Sequence, residues 1–154
     1  MIVVIDTSEW ISAMHFERRQ SSPVLALERA RNQDTLAICA EIEAEICRIL
    51  VMKFHWELEQ VTYRLSVLLA RAARVSISAN LHVCHDPNDD MVLECAQQAM
   101  AQIIHSGDID LLDMGSFEGI QILTPAQYLA LYCCPPAAYC NTPSPIATAC
   151  SWAW

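Results

Sequence analysis

The sequence predicts an α/β domain with a mainly parallel five-stranded sheet and helices on both faces, a three-layer α/β/α arrangement. Three observations carry this. Short apolar runs, several rich in β-branched residues, recur at Met1–Ile5, Thr35–Cys39, Val75–Ser78, Ile103–His105 and Ile120–Leu123. Longer stretches with apolar residues at helical spacing separate them. Strands alternating with helices favour parallel pairing, and right-handed crossovers then place helices on the sheet faces.

Each element has its own local signal. Met1–Ile5 reads as a buried parallel strand that runs straight into Asp6. Thr7 and Ser8 can cap a helix beginning near Glu9 and carrying Trp10, Ile11 and Met14. Arg18–Ser22 is a polar loop, and Pro23 suits the first turn of a helix reaching about Arg31. In Ala40–Phe54, Ile42, Ile46, Ile49, Leu50 and Phe54 keep the spacing of one apolar helix face. A short connection leads to a helix over Trp56–Ala72, so these two helices should form a hairpin. Asp89 or Asp90 caps a helix through Met100. Gly107 makes the turn after the fourth strand. Thr124-Pro125-Ala126-Gln127 has the form of a capping box opening a last helix to about Tyr132.

From Cys133 the composition shifts to Pro, Ser, Thr and Ala, with four further prolines. The expected division is therefore a domain over 1–132 and a Cys/Pro-rich tail over 133–154, disordered or loosely packed. Of the eight cysteines, Cys39, Cys47, Cys84 and Cys95 fall in apolar segments and read as buried free thiols. Cys133, Cys134, Cys140 and Cys150 lack CxxC spacing and a nearby histidine, so zinc is not supported. No signal peptide or membrane-length apolar run is visible, and a cytoplasmic location without membrane contact is expected. The net charge of −9 argues against gripping nucleic acid by phosphate neutralisation alone. It is compatible with carboxylates that hold a metal.

In open parallel sheets, ligands bind beyond the carboxyl ends of the strands. Asp6 follows the first strand, Asp108 and Asp110 follow the fourth, and Asp86, Asp89 and Asp90 follow the third. Glu45 lies among Ile42, Ile46 and Ile49, where an uncompensated carboxylate is costly to bury. Clustered carboxylates repel, and a divalent cation relieves that cost. Hard oxygen donors suit Mg²⁺ or Mn²⁺. Each acid also has a plainer role: Asp6 and Asp89 as helix caps, Asp86 as the start of an Asp-Pro turn, Asp110 as a loop acid, Glu45 as a surface residue.

Other chemistries fit less well. Ser8 stands where a haloacid-dehalogenase-type phosphatase needs a second aspartate. The single lysine, Lys53, is misplaced for a response-regulator receiver. With three glycines in the chain, phosphate-loop motifs are absent. The five histidines form no recognisable nucleophile–base pattern.

Taken together, the segments resemble PIN domains. Val3-Val-Ile-Asp6-Thr-Ser8 resembles their opening. Glu45-Ile-Cys-Arg-Ile-Leu50 resembles the Glu-Leu-x-x-Val-Leu segment. Asp86-Pro-Asn-Asp-Asp90-Met-Val-Leu-Glu-Cys-Ala96 and Ile104-His-Ser-Gly-Asp108-Ile-Asp110-Leu-Leu112 resemble the remaining acidic motifs. Gly119-Ile-Gln-Ile-Leu-Thr-Pro-Ala-Gln-Tyr128-Leu resembles the ending, so the likeness spans Met1 to about Leu131. It is nearest to the VapC-like toxin components of bacterial toxin–antitoxin systems. The resemblance implies metal-binding, catalytic acids at Asp6, Glu45, Asp90 and Asp108, with Asp110 as an additional acid. Thr7 and Ser106 would support them, Ser106 standing where threonine is usual. It further implies a Mg²⁺- or Mn²⁺-dependent endoribonuclease, often a homodimer, inhibited by a cognate antitoxin. Arg18, Arg19, Arg48 and Lys53 are candidates for contacts to RNA. The alternative is a non-catalytic PIN-fold module that binds RNA or protein.

Overall fold

The structure is a computed structural model and describes residues 1–15 and 20–133. The expected tail from residue 134 onward, and Arg18 and Arg19 of the expected loop, lie outside the described residues. In chain order the elements are β1 (Ile2–Ile5), α1 (Thr7–His15), α2 (Ser22–Gln33), β2 (Thr35–Cys39), α3 (Ala40–Phe54), α4 (Leu58–Leu68), β3 (Ala73–Val75), α5 (Pro87–Gln98), β4 (Ile103–His105), α6 (Ile109–Met114), β5 (Ser116–Phe117), β6 (Ile120–Leu123) and α7 (Pro125–Cys133). One sheet runs in the order β3-β2-β1-β4-β6-β5. Its first five members pair in parallel and β5 pairs antiparallel with β6.

The sheet has six strands where five were expected. The extra one, β5, pairs only Ser116 and Phe117 with Gln121 and Ile120. Its turn is Glu118-Gly119, both at positive φ, 49° and 85°. Two successive positive φ values are the type I′ geometry of tight hairpins. Glu118 stands where Asn or Asp usually announces that turn, which hid it in the sequence. The third strand begins two residues earlier than expected and stops at Val75, opposite Cys39. Ser78, expected in that strand, instead gives both its N–H and hydroxyl to Glu94 Oε1, at 2.7 and 2.8 Å.

Helix α3 ends where His55 turns left-handed, at φ 55° and ψ 35°. That tight reversal makes the expected α3–α4 hairpin, although α4 is shorter than the sequence indicated. The capping box is present: Gln127 Oε1 accepts from Thr124 N at 2.9 Å, and Gln127 N donates to Thr124 Oγ1 at 3.2 Å. Val3, Val4, Ile38, Ile42, Ile46, Leu50, Leu93, Ile103 and Ile104 are almost wholly buried and form the centre of the core. Helix α5 packs on β1, β2 and β4, while α1 packs on α2 and α3, and α2 on α7. Cys39 and Cys95 are buried free thiols, as expected, and Cys47 and Cys84 are half-buried.

Strand β1 sits between β2 and β4, so the chain winds outward from it in both directions. This is the switch point at which α/β sheets open a crevice beyond the strand ends. Asp6 leaves β1 there, and its N–H donates to the carbonyl of His105 at the end of β4, at 2.9 Å. The two acidic segments are thus joined by backbone.

His105 itself is 1 % exposed, and neither ring nitrogen has a hydrogen-bond partner. Its ring meets Tyr128 edge-on at 5.7 Å between centroids. Burial lowers its pKa from 6.5 to about 4. Between those values the unfolded chain binds the extra proton, so this contribution to stability is full above the upper value and is lost as pH falls toward the lower. His105→Phe is expected to flatten the fall in melting temperature across that window. An unchanged profile would place the acid-sensitive proton elsewhere.

Candidate metal centre

Asp6, Thr7, Ser8 and Ile11 line a cleft of about 350 Å³ together with Glu45, Ile49, Lys53, Phe54, Asp86, Asn88, Asp89 and Asp108. The acids come from four places: the end of β1, the middle of α3, the start of α5, and the cap of α6. The cleft brings together Asp6 and Asp108 from strand ends and Glu45 from α3, and Asp90, expected with them, is not in its lining.

Asp6 is buried, and its Oδ2 accepts from Ser8 Oγ at 2.6 Å and Ser106 Oγ at 2.9 Å. Burial pushes its pKa up, the two hydroxyls pull it down, and the charge of Asp108 pushes it up further; the net shift is upward. Ser106 also accepts from the N–H of Asp108 at 2.9 Å, so one hydroxyl positions two of the acids. Asp108 caps α6 by accepting from Asp110 N at 2.8 Å. That short helix was not anticipated; the sequence showed only a turn at Gly107. Thr7 lines the cleft, and its buried hydroxyl has no hydrogen-bond partner.

The two neighbouring aspartates of α5 separate. Asp90 Oδ1 accepts from the N–H groups of Val83 and Cys84, at 2.9 and 2.8 Å. Its burial works upward on the pKa, and those two donors outweigh it and hold the carboxyl below the usual range. Asp90 thus organises the loop before α5 and does not line the cleft. Asp89 does. Oxygens of Asp89, Asp108 and Asp110 lie within 4.8 Å of one another. Burial, then the charges of Asp108, Asp6, Asp86 and Asp110, raise the Asp89 pKa to about 7.

The phase of α5 explains this. The helix starts at Pro87, with Asp86 as its cap accepting from Asn88 N at 2.9 Å, rather than at Asp89 or Asp90. Adjacent helical residues differ by about 100° in direction, so Asp89 and Asp90 face different surroundings; the buried face of Val92, Leu93 and Ala96 holds the helix in that rotation. Asp86, read as the opening of an Asp-Pro turn, is that cap.

Glu45 reaches the cleft, but both its oxygens accept from Arg48, at 2.7 and 2.6 Å. This pairing, one turn along the same helix, lowers the Glu45 pKa. Arg48 therefore competes with any cation for Glu45. Arg48→Ala is expected to tighten Mn²⁺ binding by about two- to fivefold, the scale of an exposed ion pair. Calorimetric titration reads this directly, and weaker binding would show that Arg48 supports the cation instead.

The sequence reading passed over Glu9. It is buried in the first turn of α1, its Oε2 lacks a partner, and burial with the nearby Asp6 charge raises its pKa to about 7. Gly107 is the reason it fits: a Cβ there would stand 2.3 Å from Glu9 Oε1.

The donor set suits a hard divalent cation. Its charged donors are carboxylates, some with oxygens within 4.8 Å of one another, and burial together with the neighbouring carboxylates drives the Asp89 carboxyl to a near-neutral pKa. Uncompensated, that repulsion works against the fold.

Comparison with known proteins agrees with this architecture. The family model described as PIN domain matches residues 2–110. The fold is similar to a chain in the crystal structure of VapBC2 from Rickettsia felis bound to a DNA fragment from their promoter. That match has a TM-score of 0.58 and 18 % identity, covering 80 % of this chain and 98 % of that one. Among curated proteins no sequence matches the chain. With strands, switch point and acidic cleft in place, the match over 2–110 settles the family: the chain belongs to the PIN domain family.

Proposed function

We propose that this PIN domain is a Mg²⁺- or Mn²⁺-dependent endoribonuclease and the toxin of a type II toxin–antitoxin pair. The carrying observation is the meeting of Asp6, Glu45, Asp89 and Asp108 in one cleft. We assign Asp89 the place that the resemblance implied for Asp90, with Asp110 as an additional donor beside Asp89 and Asp108. A bound divalent ion would supply Lewis-acid polarisation of the scissile phosphate and activation of a water. The protein's own part is to hold the acids in place. Ser8 and Ser106 fix the Asp6 carboxylate, and Ser106 fixes the backbone of Asp108. Among the described residues lining the cleft, Lys53 is the one cationic side chain, and it offers a partner for the substrate phosphate.

The VapBC2 likeness supports an antitoxin as the protein partner, and a homodimer is part of the same reading. No helix among the described residues is long and apolar enough to cross a membrane, which fits action in the cytoplasm on RNA. The rival reading, a non-catalytic module, draws on one observation: Arg48 already occupies the Glu45 oxygens.

Two measurements decide between them. Mg²⁺ or Mn²⁺ should raise the melting temperature, because a cation that binds only the folded site stabilises it by mass action. A labelled RNA pool should be cut with the metal and left intact with EDTA. An RNA pool that stays whole with metal, beside protein that binds it, would favour the module.

A further inference from the structure

The cleft has a second wall, and it is not acidic. Beside the carboxylates it is lined by Ile11, Ile49, Lys53 and Phe54. Three of the cleft residues form one stripe of α3. Glu45, Ile49 and Lys53 are spaced by four, so they share a helix face, with Glu45 and Lys53 about 12 Å apart along the axis. The left-handed turn at His55 ends the helix just beyond, leaving Phe54 as its last residue.

Phe54 is 38 % exposed. Its ring lies 4.5 Å from that of His15, and His15 lies 6.4 Å from Trp56. The Arg64 guanidinium stands 5.0 Å above the Trp56 ring. Of these four, only Phe54 lines the cleft, so the rings lead outward from the acids toward the surface. A single RNA strand presents a charged phosphate and a flat base within one nucleotide. The cleft presents a place for a cation, an ammonium group and a partly exposed aromatic ring.

We propose that Phe54, displayed beside Lys53 on the wall of the acidic cleft, is a stacking site for a base of single-stranded RNA, with Lys53 pairing with the adjoining phosphate. This rests on the nuclease reading and adds to it a side chain that would hold the base next to the bound phosphate. The base supplies an aromatic face that any of the four nucleotides carries, so the site selects unpaired RNA over duplex without reading sequence.

The test uses the full chain, in EDTA so that nothing is cut, with a fluorescein-labelled dodecamer of adenosine and a duplex RNA of equal length. Phe54→Ala and Phe54→Leu are each expected to weaken single-strand binding by about 5- to 100-fold, and Phe54→Trp to retain it. Leucine keeps the apolar bulk, so its matched melting curve separates lost stacking from lost folding. Duplex binding should be the same for all four proteins. The proposal is overturned if alanine and leucine variants bind the single strand as wild type does, or if they lose duplex binding equally. If the wild type cuts RNA with Mn²⁺ and Phe54→Leu leaves KM unchanged, the nuclease reading stands and the stacking site falls. If the wild type neither binds nor cuts any RNA, both fall.

Discussion

Asp6→Asn should lower metal-dependent RNA cleavage by on the order of 10²–10³-fold while leaving the domain folded. Asp6 is the one acid held from both ends of the site, by Ser8 and by Ser106, and it sits where β1 meets β4. Asparagine keeps its shape and one acceptor oxygen, so the packing around Val4 and Ile5 is undisturbed. It removes the charge that a cation would use. Because burial already pushes the Asp6 pKa up, losing that charge should not cost stability in the metal-free protein. The readout is initial cleavage rate with Mn²⁺, from matched preparations, beside a melting curve. Full activity in the variant, or activity that survives EDTA, would point to a contaminating nuclease or to chemistry without these carboxylates.

The second large effect separates two adjacent residues. Asp90→Ala should destabilise the domain by about 2–3 kcal/mol, because the N–H groups of Val83 and Cys84 lose their acceptor. For a chain of this size that is a fall of roughly 5–10 °C in melting temperature. Asp89→Asn should do the reverse in metal-free protein. Its carboxyl titrates near 7 in the fold against 3.8 ordinarily, so the penalty of ionising it is present above neutral pH and relieved as pH falls. Asp89→Asn should therefore raise the metal-free melting temperature at alkaline pH, shrink the increment from Mg²⁺, and change little in acid. If Mg²⁺ stabilises Asp89→Asn as much as wild type, the cation binds elsewhere.

The comparison of these two residues shows where sequence reasoning reaches its end. The acids themselves were legible, because strands written in β-branched apolar runs end at carboxylates and parallel sheets gather strand ends. Which of Asp89 and Asp90 turns toward the cleft was not, because the two are adjacent, about 100° apart on the helix, and both border the buried face of Val92, Leu93 and Ala96. The cap of that helix, Asp86, looks in sequence like any Asp-Pro turn. Glu9 stayed hidden for a different reason. Its burial depends on the missing Cβ of Gly107, nearly a hundred residues away, a relation no local pattern carries. Arg48, expected among the residues that contact RNA, instead gives its guanidinium to both oxygens of Glu45, which only geometry shows. Strand β5 was lost because two residues are too few to show a period.

That same small strand has a consequence for assembly. The sheet is bounded on one side by β5, two residues long, and on the other by β3, three residues long. Strand addition by a partner needs a run of open backbone donors and acceptors along an edge. Neither border of this sheet provides such a run, so it is poorly suited to growing by zipping onto another chain or onto itself. A second copy or an inhibitor would meet the described part of this domain through side chains of its helices and loops, with little help from the backbone ladder of the sheet.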